Sequence, residues 1–166
     1  TSMYCYGIAI IDAALKQKNC RVIYKPHPRI LDSKDPLINS AHKYITQQLS
    51  RGEHEIHLTG DVLSVLKDTD LLISDISSVT LDYLYLRPSG AIFLTDRRSD
   101  RELLVADSPV AKAAYIIDSS TVAALAQSIE KVLERDELFE NRQEVCRYYF
   151  GGIAAGESTA AFYREL

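Results

Sequence analysis

Leu71-Leu72-Ile73-Ser74-Asp75-Ile76-Ser77-Ser78-Val79-Thr80-Leu81-Asp82-Tyr83 opens as a short apolar run, stops at a cluster of small polar residues, and resumes with helical spacing. A buried parallel strand that ends in a loop reads this way. Ser77 or Ser78 can cap the helix that follows, and Val79, Tyr83 and Leu86 recur on one of its faces. A strand that turns through polar residues into a helix leaves unpaired backbone N–H groups beside two hydroxyls, at the positive end of the helix dipole. That is a place to hold an anion, above all a phosphate. The same residues also suit an ordinary turn and cap, and a second stretch is needed to choose between the two.

That second stretch lies upstream. Arg21-Val22-Ile23-Tyr24-Lys25 reads as a strand and runs into Pro26-His27-Pro28-Arg29. Prolines on both sides of His27 fix φ at two positions and remove two N–H donors, which predicts a stiff loop holding its side chains in place. Strand-end loops of an open α/β sheet are where ligands sit, and parallel strands bring their loops to one edge. Lys25, His27 and Arg29 on one loop, and Asp75, Ser77 and Ser78 on the other, are thereby expected to line one crevice. A guanidinium forks onto a phosphate, an imidazole donates one hydrogen bond, and serine hydroxyls with helix N–H groups complete a diphosphate cradle. Asp75 suits ribose hydroxyls or the positioning of its own loop. No glycine-rich dinucleotide or P-loop motif is present.

The rest of the chain alternates short strands with helices. Helices are predicted over Met3–Lys18 and Ile38–Leu49, with a weak strand at Glu55–Leu58 and Asp61 capping a short helix. A strand at Gly90–Thr95 is followed by a charged loop, Asp96–Arg101. Ala114–Asp118 is the last strand, then come a helix from Ser119 or Ser120 through Leu133, another from Asp136 to Phe150, a break at Gly151-Gly152, and a final helix after Gly156 to Leu166. This pattern predicts an α/β fold, a Rossmann-like parallel sheet covered by helices on both faces.

At 166 residues and 46% hydrophobic the chain has material for one core, and a single domain spanning 1–166 is expected. The net charge of −4 and the absence of a Lys/Arg run argue against nucleic acid. The longest apolar runs fall far below the ~20 residues that cross a bilayer. Cys5, Cys20 and Cys146 are odd in number and lack metal-ligand spacing, so they read as buried, reduced thiols of a cytosolic protein. No metal site and no cofactor is indicated.

Val22 through Arg29, Asp61-Val62-Leu63, Asp70 through Leu84, and the strand ending Leu94-Thr95-Asp96 together resemble the nucleotide-binding half of the CDP-glycerol glycerophosphotransferases. Phe150-Gly151-Gly152 and Ala155-Gly156-Glu157-Ser158-Thr159 are similar to that family's closing segment. The resemblance implies the C-terminal, donor-binding half of a GT-B transferase, with a separate N-terminal half bringing a polymer acceptor and little turnover from this half alone. It implies transfer of glycerol phosphate from CDP-glycerol to a hydroxyl of a teichoic-acid-like cell-wall polymer, with release of CMP. His27 would be catalytic and, with Arg29, would hold the donor phosphates; Ser77 and Ser78 would complete that site. Lys25, Asp75 and Asp82 would contact the nucleotide or position the loops. The setting implied is the cytoplasm, peripheral at the inner face of the membrane, with membrane contact only through the full-length protein.

The chain departs from the family where Arg97 to Glu102 replace an acidic and aromatic segment, and where Ala160 and Ala161 stand near a common arginine. The alternatives are a nucleotide-sugar or capsule-polysaccharide transferase and, from another class, a non-catalytic α/β regulatory domain of the receiver kind. The clustered acids and the lysine that a receiver domain needs are not in place.

Overall fold

The structure, a computed structural model, describes residues 2–153 and 156–164. In chain order the elements are α1 (Ser2–Leu15), β1 (Ile23–Tyr24), α2 (Pro28–Leu31), α3 (Pro36–Leu49), β2 (Glu55–Ile56), α4 (Val62–Leu66), β3 (Leu71–Ser74), α5 (Ser78–Leu86), β4 (Ala91–Thr95), α6 (Arg101–Asp107), β5 (Tyr115–Ile117), α7 (Leu125–Glu134), α8 (Phe139–Phe150) and α9 (Ser158–Arg164). Short 3₁₀ turns at Pro109–Ala113 and Val122–Ala124 complete them. The architecture is Rossmann-like α/β, with short parallel strands flanked by helices. Hydrogen bonding divides the strands into two sheets, β1-β2 and β3-β4-β5.

The chain also falls into two compact units. The first comprises Thr1–Val62, Asp96–Ser99 and Ile117–Arg135; the second comprises Leu63–Thr95, Asp100–Ile116 and Asp136–Leu166.

In the first unit β1 pairs in parallel with β2, Ile23 opposite Glu55 and Tyr24 opposite Ile56. Strand residues alternate between faces. Val22, Tyr24 and Ile56 accordingly pack with Met3, Leu15 and Tyr44 on the buried trio Ile11, Ile45 and Leu49. Each such aliphatic side chain contributes about 1.5–3 kcal/mol by leaving water. Helix α1 lies against α3 and α7. A Cβ at its Gly7 would displace only the movable end of Met3 on the same helix and would reach ordinary contact, 3.7 Å, with Ile45 Cδ1. Gln17 Nε2 donates to Ala13 O and, at 3.0 Å, to Ala126 O, joining the end of α1 to α7.

In the second unit β4 is the middle strand and every one of its residues is buried. A strand covered on both faces needs an unbroken apolar run, which Ala91-Ile92-Phe93-Leu94 supplies. It pairs in parallel with β3, Leu71 opposite Ala91 through Ser74 opposite Leu94. Helix α5 buries Thr80, Tyr83 and Leu84, a face rotated from the Val79–Tyr83–Leu86 stripe predicted. Tyr83 is fully buried and donates to Thr69 O at 3.0 Å. Only glycine fits at position 90, because a Cβ would overlap the Tyr83 ring and hydroxyl.

Arg142 on α8 is also fully buried. It is ion-paired to Asp136 and donates to Ala113 O at 3.4 Å. Asp136 in turn accepts from the Tyr115 hydroxyl at 2.9 Å. Burial pulls the Arg142 pKa down, and the neighbouring Tyr115 and Tyr83 act against that.

Several local expectations are corrected. Pro28 to Leu31 is a helical turn rather than loop, because a proline is preorganised for the first helical position. The charged loop after β4 ends at Asp100, whose carboxylate accepts from Leu103 N at 3.0 Å and caps α6, a helix the sequence did not announce. The helix expected from Ser119 or Ser120 starts with the 3₁₀ turn at Val122 and becomes α-helical at Leu125. Cys5 is exposed, and Cys20 and Cys146 are only partly covered. Cys5 lies outside because Tyr6, Gly7 and Ile11 form the face of α1 that is turned inward. The predicted end of the last helix at Leu166, and Ala155 of the closing segment, lie outside the described residues.

Candidate functional site

The first unit carries the Lys25–Arg29 loop. Its two buried anchors are Pro26 and Ile30. Between them the backbone of His27 is extended (φ −62°, ψ 140°) and the residue caps α2: the Arg29 N–H donates to its Nδ1 at 3.1 Å. An amide N–H can only donate, so Nδ1 is the acceptor and the neutral ring carries its proton on Nε2. The ring is exposed, and its Nε2–H is left as an outward donor. Arg29 is exposed as well and makes no side-chain ion pair among the described residues. Lys25 is half-buried, with Nζ donating to Thr59 O at 3.2 Å. That bond fixes the loop to the segment after β2, so Lys25 acts as a loop-positioning residue.

The other histidines have partners that the sequence did not reveal. His42 Nδ1 lies 3.0 Å from the Tyr24 hydroxyl. Burial pushes the Tyr24 phenol up to about 12, so it meets His42 as a neutral group. His54 Nδ1 accepts from Val22 N at 3.2 Å. His57 Nε2 is 2.6 Å from Glu55, which also pairs with Arg21 at 2.9 Å.

The second unit carries the Asp75–Asp82 stretch. Asp75 Oδ1 accepts from the Thr95 hydroxyl at 2.8 Å, tying the β3 loop to the end of β4. Ser77 occupies the N-cap position of α5 with extended backbone, yet its hydroxyl makes no capping bond. Ser77 and Ser78 are both exposed at the first turn. Thr80, one turn in, is fully buried with its hydroxyl unpartnered among the described residues. Asp82 stands on the exposed face of α5 with no hydrogen bond among those residues.

His27, Arg29 and Lys25 therefore belong to one compact unit, and Asp75, Ser77, Ser78 and Asp82 to the other. The first unit also contains the segments that follow β4 and β5, Asp96–Ser99 and Asp118–Thr121, which form a polar pair of loops. Serines at a strand end are the one sequence signal that marks Ser119 and Ser120, and the same signal suits a helix cap. No three His, Cys, Asp or Glu side chains gather as a metal site among the described residues. Among those residues no helix is long and apolar enough to cross a membrane.

The family model described as CDP-Glycerol:Poly(glycerophosphate) glycerophosphotransferase matches residues 9–164. No curated protein and no solved structure matches.

Proposed function

The chain belongs to the CDP-glycerol:poly(glycerophosphate) glycerophosphotransferase family, and from that premise we propose that it binds the CDP-glycerol donor of a GT-B transferase acting on a teichoic-acid-like polymer. The family carries a transferase activity of the glycerophosphotransferase type. The observation that carries the finer reading is His27, whose Nδ1 is committed to Arg29 N at 3.1 Å while its ring stays exposed on a loop that also bears the exposed Arg29. A ring held in one tautomer and a guanidinium two residues along the same turn are donor types that suit phosphoryl oxygens.

In this reading an acceptor hydroxyl attacks the phosphorus that bears glycerol and releases its proton to solvent. The bond from that phosphorus to the CMP oxygen breaks, and CMP leaves with the electron pair. Negative charge builds on the phosphoryl oxygens and on the leaving group, and positioned donors lower the barrier by meeting it. His27 and Arg29 supply such donors from the first unit. Within the second unit, taken by itself, Ser77, Ser78 and the first N–H groups of α5 are donors of the same kind, with Asp75 held by Thr95 as the loop-positioning residue. Lys25 positions its own loop. Asp82 keeps the role of a nucleotide contact only as part of this proposal. The setting proposed is the cytoplasmic face of the membrane.

Calorimetric titration of the chain with CDP, CMP, UDP and GDP tests it. CDP is expected to bind selectively, to weaken with added salt, and to lose about tenfold in affinity in Arg29→Ala. Tighter binding of UDP would move the donor to a nucleotide sugar, and no binding of any of the four at millimolar concentration would overturn the reading.

A further inference from the structure

The loop that follows β4 ends a buried strand in two adjacent exposed arginines, Arg97 and Arg98. Asp96, only 2% exposed, accepts from Arg98 N at 3.1 Å and lies 3.6 Å from Arg98 Nε. That carboxylate shapes the turn and partly answers the charge of Arg98. Arg97 makes no hydrogen bond or ion pair among the described residues, although its charge is felt at Tyr6, on α1 of the same unit.

Ser99 then takes a left-handed backbone (φ 53°), which a non-glycine residue adopts at a cost and which tends to persist where the surroundings impose it. Its hydroxyl meets that of Ser119, in the loop after β5, at 2.9 Å, and accepts from Ser119 N at 3.4 Å. The two loops are thus fastened to each other within one compact unit. Beside Ser119, Asp118 accepts from Ser120 N and Oγ at 2.8 and 2.7 Å, and from Thr121 N and Oγ1 at 3.0 and 3.2 Å. All four donors converge on Oδ1, and those bonds hold its carboxyl below the usual carboxylate range. Oδ2 takes none of the four.

A cation, two hydroxyls and an oriented carboxylate oxygen make a particular recognition set. The guanidinium and hydroxyls suit a phosphoryl oxygen, and the carboxylate suits a ligand hydroxyl. The carboxylate also opposes a second negative charge, so a singly charged diester fits better than a doubly charged monoester. We propose that the paired Asp96–Ser99 and Asp118–Thr121 loops form a subsite for a phosphodiester-linked glycerol unit, with Arg97, Ser99 and Ser119 on the diester and Asp118 Oδ2 on a glycerol hydroxyl. The substrate class rests on the reading under Proposed function; the subsite itself rests on the loops. The unit has two sources, the head group of the donor and the terminal unit of the polymer acceptor.

Calorimetric titration of the chain and of Arg97→Ala, Ser119→Ala and Asp118→Asn separates these, with glycerophosphoglycerol, glycerol 3-phosphate, CDP and CDP-glycerol as probes. The wild type is expected to prefer the diester to the monoester, Arg97→Ala to weaken the diester about tenfold, and Asp118→Asn to narrow the preference. All three side chains lie outside the core, and unchanged melting temperatures confirm intact folds. A selective loss of CDP-glycerol over CDP in Arg97→Ala assigns the subsite to the donor head group. A loss confined to glycerophosphoglycerol assigns it to the acceptor. Equal binding of monoester and diester, no uptake of the diester by the wild type, or wild-type affinities in Arg97→Ala overturns the subsite. Failure of the wild type to bind CDP would instead overturn the donor reading, while the diester titration still decides the subsite.

Discussion

His27 divides its two ring nitrogens between structure and chemistry. Nδ1 takes the Arg29 N–H at 3.1 Å and starts α2, while Nε2 faces outward. An asparagine at this position can keep the first role, since its Oδ1 caps a helix as well as any side chain, and it cannot keep the second. His27→Asn is therefore expected to melt within about 2 °C of the wild type and to bind CDP about tenfold more weakly. His27→Ala removes the cap too and is expected to lose about 1 kcal/mol of stability. Thermal melts and titrations of the pair check this, and wild-type CDP affinity in His27→Asn would take the ring out of donor binding. The two prolines made a rigid loop legible in the sequence. The tautomer was not legible, because it is set by the backbone amide of Arg29 once Pro28 begins a helical turn.

The helix starts differ in how they are closed. Asp35 caps α3 by accepting from Leu37 N at 2.9 Å, and Asp100 does the same for α6. At α5 the Ser77 hydroxyl caps nothing. Asp35→Ala is accordingly expected to cost about 1 kcal/mol, whereas Ser77→Ala is expected to leave the melting temperature unchanged and to weaken CDP binding severalfold. A destabilised Ser77→Ala with normal CDP affinity would return Ser77 to an ordinary turn residue. Strand β3 was readable to the residue because an apolar run of three, Leu71-Leu72-Ile73, is bounded by Asp70 on one side and by Ser74-Asp75 on the other. Helix α6 was not, because Asp100-Arg101-Glu102 looks like a solvated charge run and only Leu104 in that helix is buried.

Across the whole molecule, ionic groups act through their settings. Arg142 is a buried cation answered by Asp136 and the Ala113 carbonyl. Arg142→Ala empties the buried place of the guanidinium and leaves the partly covered Asp136 carboxylate without its cation, and is expected to cost about 3–5 kcal/mol in chemical denaturation; a loss within about 0.5 kcal/mol would mean that water already answers both groups. The pH dependence runs in a definite direction. Glu55 is held below its ordinary value first by the hydrogen bond from His57 and then by Arg21, and Asp118 by the donors of Ser120 and Thr121. A carboxylate with a depressed folded pKa contributes fully above its ordinary range and loses that contribution as pH falls through the folded value. Melting temperature is expected to hold above about pH 5 and to drop below about pH 4, with a shallower drop in Asp118→Asn. Equal slopes in the two proteins would remove Asp118 from the acid transition.

The sequence by itself determined the alternation of strand and helix, the parallel α/β class and the family, because apolar period, proline, glycine and turn chemistry act over a few neighbours. Leu71–Ser74, the stop at Gly151 and the His27-bearing loop all follow from residues adjacent in the chain. Tertiary structure alone decided which polar groups are answered. Arg142 sits inside because Asp136 and Ala113 are brought to it, Ser119 matters because Ser99 lies 2.9 Å away, and Cys5 is outside because the other face of α1 turned inward. Those outcomes depend on contacts between distant segments, and no local pattern of residues encodes them.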